Sequence, residues 1–232
     1  LKSLSDMVGD IKPKLKSLAM AVTEAFSVMK LLDFGRQSIE TASDLAEVQN
    51  VVDTAFGESK QKMEDFADTA VKTYGISKLT AKQTGSNFMA MAAGMGLAND
   101  SASDMAMALT GLSADMASFY NVGQDVASTA LKSIFTGETE TLKQFGIVMT
   151  DANLQAYALS KGITKSTADM SQAEKVQLRY NYVMSQTALA QGDFAKTSDS
   201  WANQTRILSE QWKEFGATIG TLRMNVLLPA GK

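Results

Sequence analysis

Cysteine and histidine are both absent from this 232-residue chain, and proline occurs only twice. These residues therefore hold no thiolate or imidazole to ligate zinc, no Ser-His-Asp or Cys-His nucleophilic set and no disulfide framework. Aromatic residues are scarce at 7%, although the apolar share as a whole is 45%. Alanine, leucine and the 14 methionines carry that share, and all three residue types favour helix. Charge is close to balanced, with 22 Lys+Arg against 25 Asp+Glu. That gives no electrostatic ground for nucleic-acid binding, and no sequence-specific contact with nucleic acid is expected. Residues 1–18 are broken by Lys2, Asp6, Asp10, Lys12, Lys14 and Lys16, so they lack the apolar stretch of a signal peptide. The longest uncharged run, 83–99, is just short of the ~20 residues that span a bilayer. It also contains Gln83, Thr84, Ser86, Asn87 and Asn99, and reads as a helix packed through small residues. Because the sequence starts at Leu1 and ends in mid-pattern, it is expected to be a piece of a longer polypeptide.

What is present is helical periodicity. Leu1, Leu4, Val8, Ile11, Leu15, Leu18, Val22, Ala25, Met29 and Leu32 alternate three and four apart, a coiled-coil seam over about four heptads. Pro13 lies off the seam and either kinks one helix or opens a second. Asp33-Phe34-Gly35 reads as its stop. Near the other end, Phe194, Ser198, Trp201, Thr205, Leu208, Trp212, Phe215, Ile219, Leu222 and Val226 repeat the spacing. A stripe of this kind must be buried against something, either another copy of the chain or a partner. Trp201 and Trp212, eleven apart, share that stripe and suit an interface anchor as well as internal packing.

Between these seams the chain is punctuated. Thr41 to Asp44, Thr80 to Gln83, Ser101 to Asp104 and Ser171 to Glu174 have capping-box spacing. Gly57, Gly75, Gly123, Gly137, Gly146 and Gly162 fall where helices are expected to end. Apolar stripes fill the intervals: Leu45-Val48-Val52-Phe56, Met63-Phe66-Ala70-Tyr74, Met105-Leu109-Leu112-Met116-Phe119 and Val126-Ala130-Leu131-Ile134. The β-like stretch Phe145 to Met149 is too short for confidence in a strand and reads as an extended link. The expected fold is all-α: a compact module of short helices, 36–190, flanked by long heptad-patterned, coiled-coil-like helices at 1–35 and 191–232.

No motif carries chemistry well. Gly94-Met95-Gly96 lacks the third glycine and the preceding strand of a dinucleotide loop, so small residues letting helices approach is the simpler account. Glu58-Ser59 shares two residues with the catalytic context of lytic transglycosylases, but Lys60-Gln61-Lys62 does not continue it. Glu138 and Glu140 suit the first turn of a helix better than a calcium loop. Met89, Met91, Met95, Met105, Met107 and Met116 read as core or subunit contacts. No catalytic, cofactor or metal residue is therefore assigned. The candidate functional residues are the seam positions Leu4, Val8, Ile11, Leu15, Leu18, Leu208, Trp212, Phe215, Ile219, Leu222 and Val226.

Several runs resemble phage tail tape-measure proteins in order along the chain. They are Ala114 to Val122 (ADMASFYNV), Phe135 to Thr150 (FTGETETLKQFGIVMT), Asp151 to Leu159 (DANLQAYAL) and Gly192 to Gln204 (GDFAKTSDSWANQ). The resemblance covers roughly 40–220. It implies a structural chain, mostly helical, that occupies the tail-tube lumen of the virion, sets tail length and leaves ahead of the DNA at genome ejection. Implied partners are other copies of itself, with three the expected number, the tail-tube protein, tail-tip or baseplate hub proteins and a tail-assembly chaperone in the host cytoplasm. Some family members carry membrane-active or hydrolase segments. A membrane contact here is expected only at 83–99 or in segments outside this sequence. A free-standing helical-bundle adaptor is the alternative reading of the residues, and a cell-wall-cleaving domain with Glu58 as its acid is a third.

Overall fold

In the computed structural model the described residues are 28–227, and among them every regular element is helical. The α-helices are α1 (Val28–Phe56), α2 (Lys60–Tyr74), α3 (Lys78–Gly94), α4 (Asn99–Phe119), α5 (Gln124–Leu131) and α6 (Ser133–Thr136). They continue as α7 (Glu140–Lys143), α8 (Asp151–Ser160), α9 (Gln172–Gln186), α10 (Asp193–Lys196) and α11 (Trp201–Leu227), with 3-10 turns at Gly57–Ser59 and Thr167–Asp169. The chain divides into two units. Residues 44–214 form one, and the described flanks 28–43 and 215–227 belong to the other.

The larger unit is built around α4. Thirteen of its 21 residues are buried, and Ala102, Ser103, Met105, Ala106 and the whole run 109–117 are among them. Over 109–117, where it is buried on every side, the helix has no wet face for polar side chains. Its hydroxyls accordingly bond back to its own carbonyls: Thr110 Oγ1 donates to Ala106 at 2.7 Å and Ser113 Oγ to Thr110 at 2.7 Å. Small residues let neighbours approach closely. A Cβ on Gly111 would lie 2.8 Å from the Tyr74 ring of α2, and one on Gly85 of α3 would lie 2.7 Å from Met63 Sδ. The run 83–99 is thus mostly the packed helix α3, with Ser86, Phe88, Met89 and Ala92 buried. No described helix is long and apolar enough to cross a membrane. The expected stripes supply the core: Val52, Phe56, Met63, Ala70, Leu109, Leu112, Met116, Leu131 and Ile134 are buried. Met89, Met105 and Met116 are core residues as well, with Met91, Met95 and Met107 packed against them.

The stretch 147–150 has no regular structure and links α7 to α8. Ile147 and Met149 point inward while Val148 is exposed. Its carbonyls are satisfied by side chains: Val148 accepts from Tyr182 Oη at 2.9 Å and from Asn153 Nδ2 at 2.8 Å.

Local signals decide several boundaries. The Ser171–Glu174 capping box forms in full, with Ser171 N donating to Glu174 Oε2 at 2.7 Å and Glu174 N to Ser171 Oγ at 3.3 Å. Tyr74 is followed by Gly75 at φ 63, whose amide donates to Val71 O at 3.0 Å and closes α2. Other expectations fail. Asp33-Phe34-Gly35 lies inside α1. One interior glycine costs only about 1 kcal/mol, too little to stop a helix whose apolar stripe continues to Phe56. Thr41 is likewise internal, and its hydroxyl donates to Gln37 O at 2.8 Å. Thr80 and Ser101 fall in first turns whose N-caps are Ser77 and Ala98. Gly123 starts α5 at φ −65 and ends nothing. Gly94 and Gly96 border open space, so they turn the chain between α3 and α4 and do not bring helices together.

In the flanking unit Ser38, Ala42, Gly216 and Ala217 are buried. A Cβ on Gly216 would lie 3.4 Å from Ser38 Oγ, so α1 and α11 meet there through small residues.

Gly75 offers a direct test of the packing. A Cβ there would lie 2.3 Å from the buried Phe194 ring on a left-handed backbone. Gly75→Ala is expected to lower stability by about 1–3 kcal/mol. Gly94→Ala, where the space is open, is expected to be neutral or to stabilise by up to about 1 kcal/mol. Urea midpoints at constant m-value measure both; equal effects would refute the packing account.

Candidate functional site

Helix α11 begins where a polar network holds it. Asn203, buried, donates from Nδ2 to Ser118 Oγ at 3.0 Å, to Thr197 Oγ1 at 2.8 Å and to Thr197 O at 3.2 Å. Two and three turns on, carboxylates take over. Glu210 Oε2 accepts from Ser77 N at 3.0 Å and Glu214 Oε1 from Lys78 N at 2.9 Å. Those amides are the N-cap and first residue of α3, groups that no intrahelical carbonyl can satisfy. Two acids at the positive end of α3 therefore gain from its dipole as well. Lys213 Nζ pairs with Glu210 Oε1 at 2.5 Å, and Lys78 Nζ pairs with Asp68 at 2.7 Å. That pairing holds the Asp68 carboxyl below its usual range and the Lys78 ammonium above its own.

The opposite face of α11 is apolar and turned outward. Trp201 is 88% exposed, Leu208 64%, Trp212 54% and Phe215 51%. Thr205, between them on the stripe, is exposed too. Of the expected seam, Leu208, Trp212 and Phe215 thus share one outward stripe. Ile219, Leu222 and Val226 continue the same helix, but their side chains lie outside the described ones. Leu4, Val8, Ile11, Leu15 and Leu18 also lie outside the described residues. The stripe does not extend back to Phe194 and Ser198 as the spacing suggested. Phe194 sits in the separate turn α10, fully buried against Gly75, and Ser198 lies in the turn before α11. The residues the sequence left unremarked are Asn203, Arg206, Glu210 and Glu214. Their three- and four-residue spacing is the available signal, and it does not differ from that of an ordinary solvated face.

The other polar clusters are structural in arrangement. Asp115 of α4 is buried and accepts from Gly192 N at 2.7 Å and Phe194 N at 3.2 Å. Burial raises its carboxyl above the usual value, against the pull of those two amides. Lys82, also buried, donates to Glu64 at 2.7 Å and to Gln49. Arg179 lies over Gly137 and lines a cleft of about 250 Å³ with Asp151, Thr167 and Lys175. Burial lowers its guanidinium from its usual value. Glu58 is exposed on the first 3-10 turn. Glu138 and Glu140 are exposed at the entry to α7, where Glu140 pairs with Lys143 at 2.6 Å. Among the described residues no three acidic groups are placed to hold a metal ion.

No protein-family model, no curated protein and no solved structure matches the chain.

Two carboxyls shift in opposite directions, which fixes the sign of their pH dependence. Asp115 holds its proton more tightly when folded, so its contribution is most favourable below about pH 4 and declines as pH rises through its raised value. Glu174 is lowered to about 2 by Lys165 and the Ser171 amide, so its contribution is present above about pH 4.5 and lost as pH falls toward 2. Relative to wild type, Asp115→Asn is expected to gain stability as pH rises from 4, and Glu174→Gln as pH falls from 5. Urea titrations at stepped pH read both slopes; slopes of the same sign would refute the assignment.

Proposed function

We propose that this chain is a segment of a phage tail tape-measure protein, a structural component of the virion and not an enzyme. The runs 114–122, 135–150, 151–159 and 192–204 suggest the family. The observation that carries the reading here is the outward apolar stripe of Trp201, Leu208 and Trp212. Burying a large apolar side chain gains about 1.5–3 kcal/mol, so a stripe of three or four supplies a strong drive to associate. In this reading a compact helical module carries heptad-patterned helices on both flanks, and these pack in coiled-coil fashion with other copies, three in all. The assembled rod fills the tail-tube lumen, meets the tube protein along its sides and the tip or baseplate hub at one end, and is held by a chaperone before assembly. Length follows from geometry, because a helix rises about 1.5 Å per residue and a chain of fixed residue number becomes a rod of fixed length. Such a task needs helix formers and seams. It needs no nucleophile, metal or disulfide.

Two measurements test this. Light scattering on the whole chain is expected to give three times 24.9 kDa, and Trp201→Glu with Leu208→Glu to give one copy. A wild-type monomer at high concentration would count against the oligomer. In the parent phage, in-frame removal of residues 1–28 is expected to shorten tails by about 40 Å in averaged electron micrographs. Tails of unchanged length would remove the ruler function.

A further inference from the structure

The inner side of α11 between 201 and 214 is attached in an unusual way. Of those fourteen residues only Asn203 is buried, whereas thirteen of the 21 in α4 are. The attachment is polar: the Asn203 amide on Ser118 and Thr197, Glu210 on Ser77 N, and Glu214 on Lys78 N. Ile207 is the one large apolar side chain on this face, and it is half-buried.

The seat is also loosely filled. A cleft of about 480 Å³ borders it, lined by Gln83, Asn87, Gln124, Arg206 and Glu210. A second, of about 510 Å³, is lined by Asp68, Lys72, Gln204, Ile207 and Gln211. A third, of about 270 Å³, lies at the helix start beside Ser118, Asn121 and Asn203. An element with few buried apolar contacts, wet margins and charge-assisted hydrogen bonds has a low local opening free energy. Bonds to carboxylates are stronger than neutral ones, but only two of them, from Glu210 and Glu214, fasten the helix to α3. The carboxylates act at a helix end, where the dipole of α3 favours negative charge.

We propose that residues 201–214 form a releasable strap, which opens while the body from α2 to α10 stays folded. Opening uncovers the Ser77 and Lys78 amides at the start of α3 and joins the bordering clefts into one groove of mixed polar and apolar lining. The strap does not depend on a role in tails. It follows from how this helix is held.

Hydrogen exchange followed by mass spectrometry on the whole chain tests it. In wild type, amides of 201–214 are expected to exchange on the order of 100-fold faster than those of 103–117. Glu210→Ala with Glu214→Ala leaves two strong helix formers in place and removes both acceptors. It is expected to speed exchange of 201–214 by about tenfold or more, with 103–117 unchanged. Equal protection of the two segments in wild type would overturn the strap. So would a double variant that accelerates both segments alike, or one that leaves 201–214 unmoved.

Discussion

The enclosure of α4 is the constraint from which the rest of the larger unit follows. Because α4 is covered on every side over 109–117, its surface there must be small or self-satisfied, hence the alanines, Gly111, and hydroxyls bonded to their own helix. Its one buried carboxylate, Asp115, cannot bond to its own helix in the same way, and it meets two backbone amides from outside. Those amides belong to Gly192 and Phe194, so Asp115 fixes where the chain turns after α9. That turn seats Phe194 on Gly75, where only a glycine leaves room. One helical turn beyond Asp115, Ser118 receives Asn203 and so sets where α11 begins.

Much of this arrangement was legible in the residues, and the failures have physical causes. Stripes such as Val52 and Phe56 or Met63 and Ala70 fall inside because a one-sided helix has only one face to bury. The Ser171 box forms because Ser171 is itself the extended residue that starts α9, and Lys165 braces the Glu174 carboxylate beside it. Ser101 and Thr80 carry the same signal and do not cap, because an extended residue three places earlier already starts each helix. Position 35 misled because a glycine ends a helix only where the chain can turn left-handed and leave. For α4 the periodicity picked out Met105, Leu109, Leu112 and Met116 correctly, but Phe119 is exposed, and over 109–117 the opposite face is buried as well.

The candidate site was half legible for a related reason. Spacing alone placed Leu208, Trp212 and Phe215 on one stripe, yet spacing does not say which stripe faces the body. The body's own surface decides that. At the seat of α11 it offers the unpaired amides of α3 and the hydroxyls of Ser118 and Thr197, which match Glu210, Glu214 and Asn203. Turning the tryptophans inward would bury apolar area, worth about 1.5–3 kcal/mol per side chain, but would leave those amides against rings. Each such unsatisfied group costs about 1–3 kcal/mol, and the carboxylate bonds would be forfeited as well. The polar face therefore docks, and the apolar face is turned away.

That orientation separates two tasks on one helix. The inner stripe holds α11 to its own chain through few, directional bonds. The outer stripe keeps its apolar area available to a second surface. A partner that covers Trp201 and Leu208 touches none of the atoms that hold Ser77, Lys78 or Ser118. Association and attachment are then coupled only to the extent that a partner binds the opened and closed forms differently. A rigid seam between copies would hold the helix straight and leave its inner bonds in place. A partner that bends the helix would strain the bonds from Glu210 and Glu214 first, because they reach across the clefts with little apolar packing behind them.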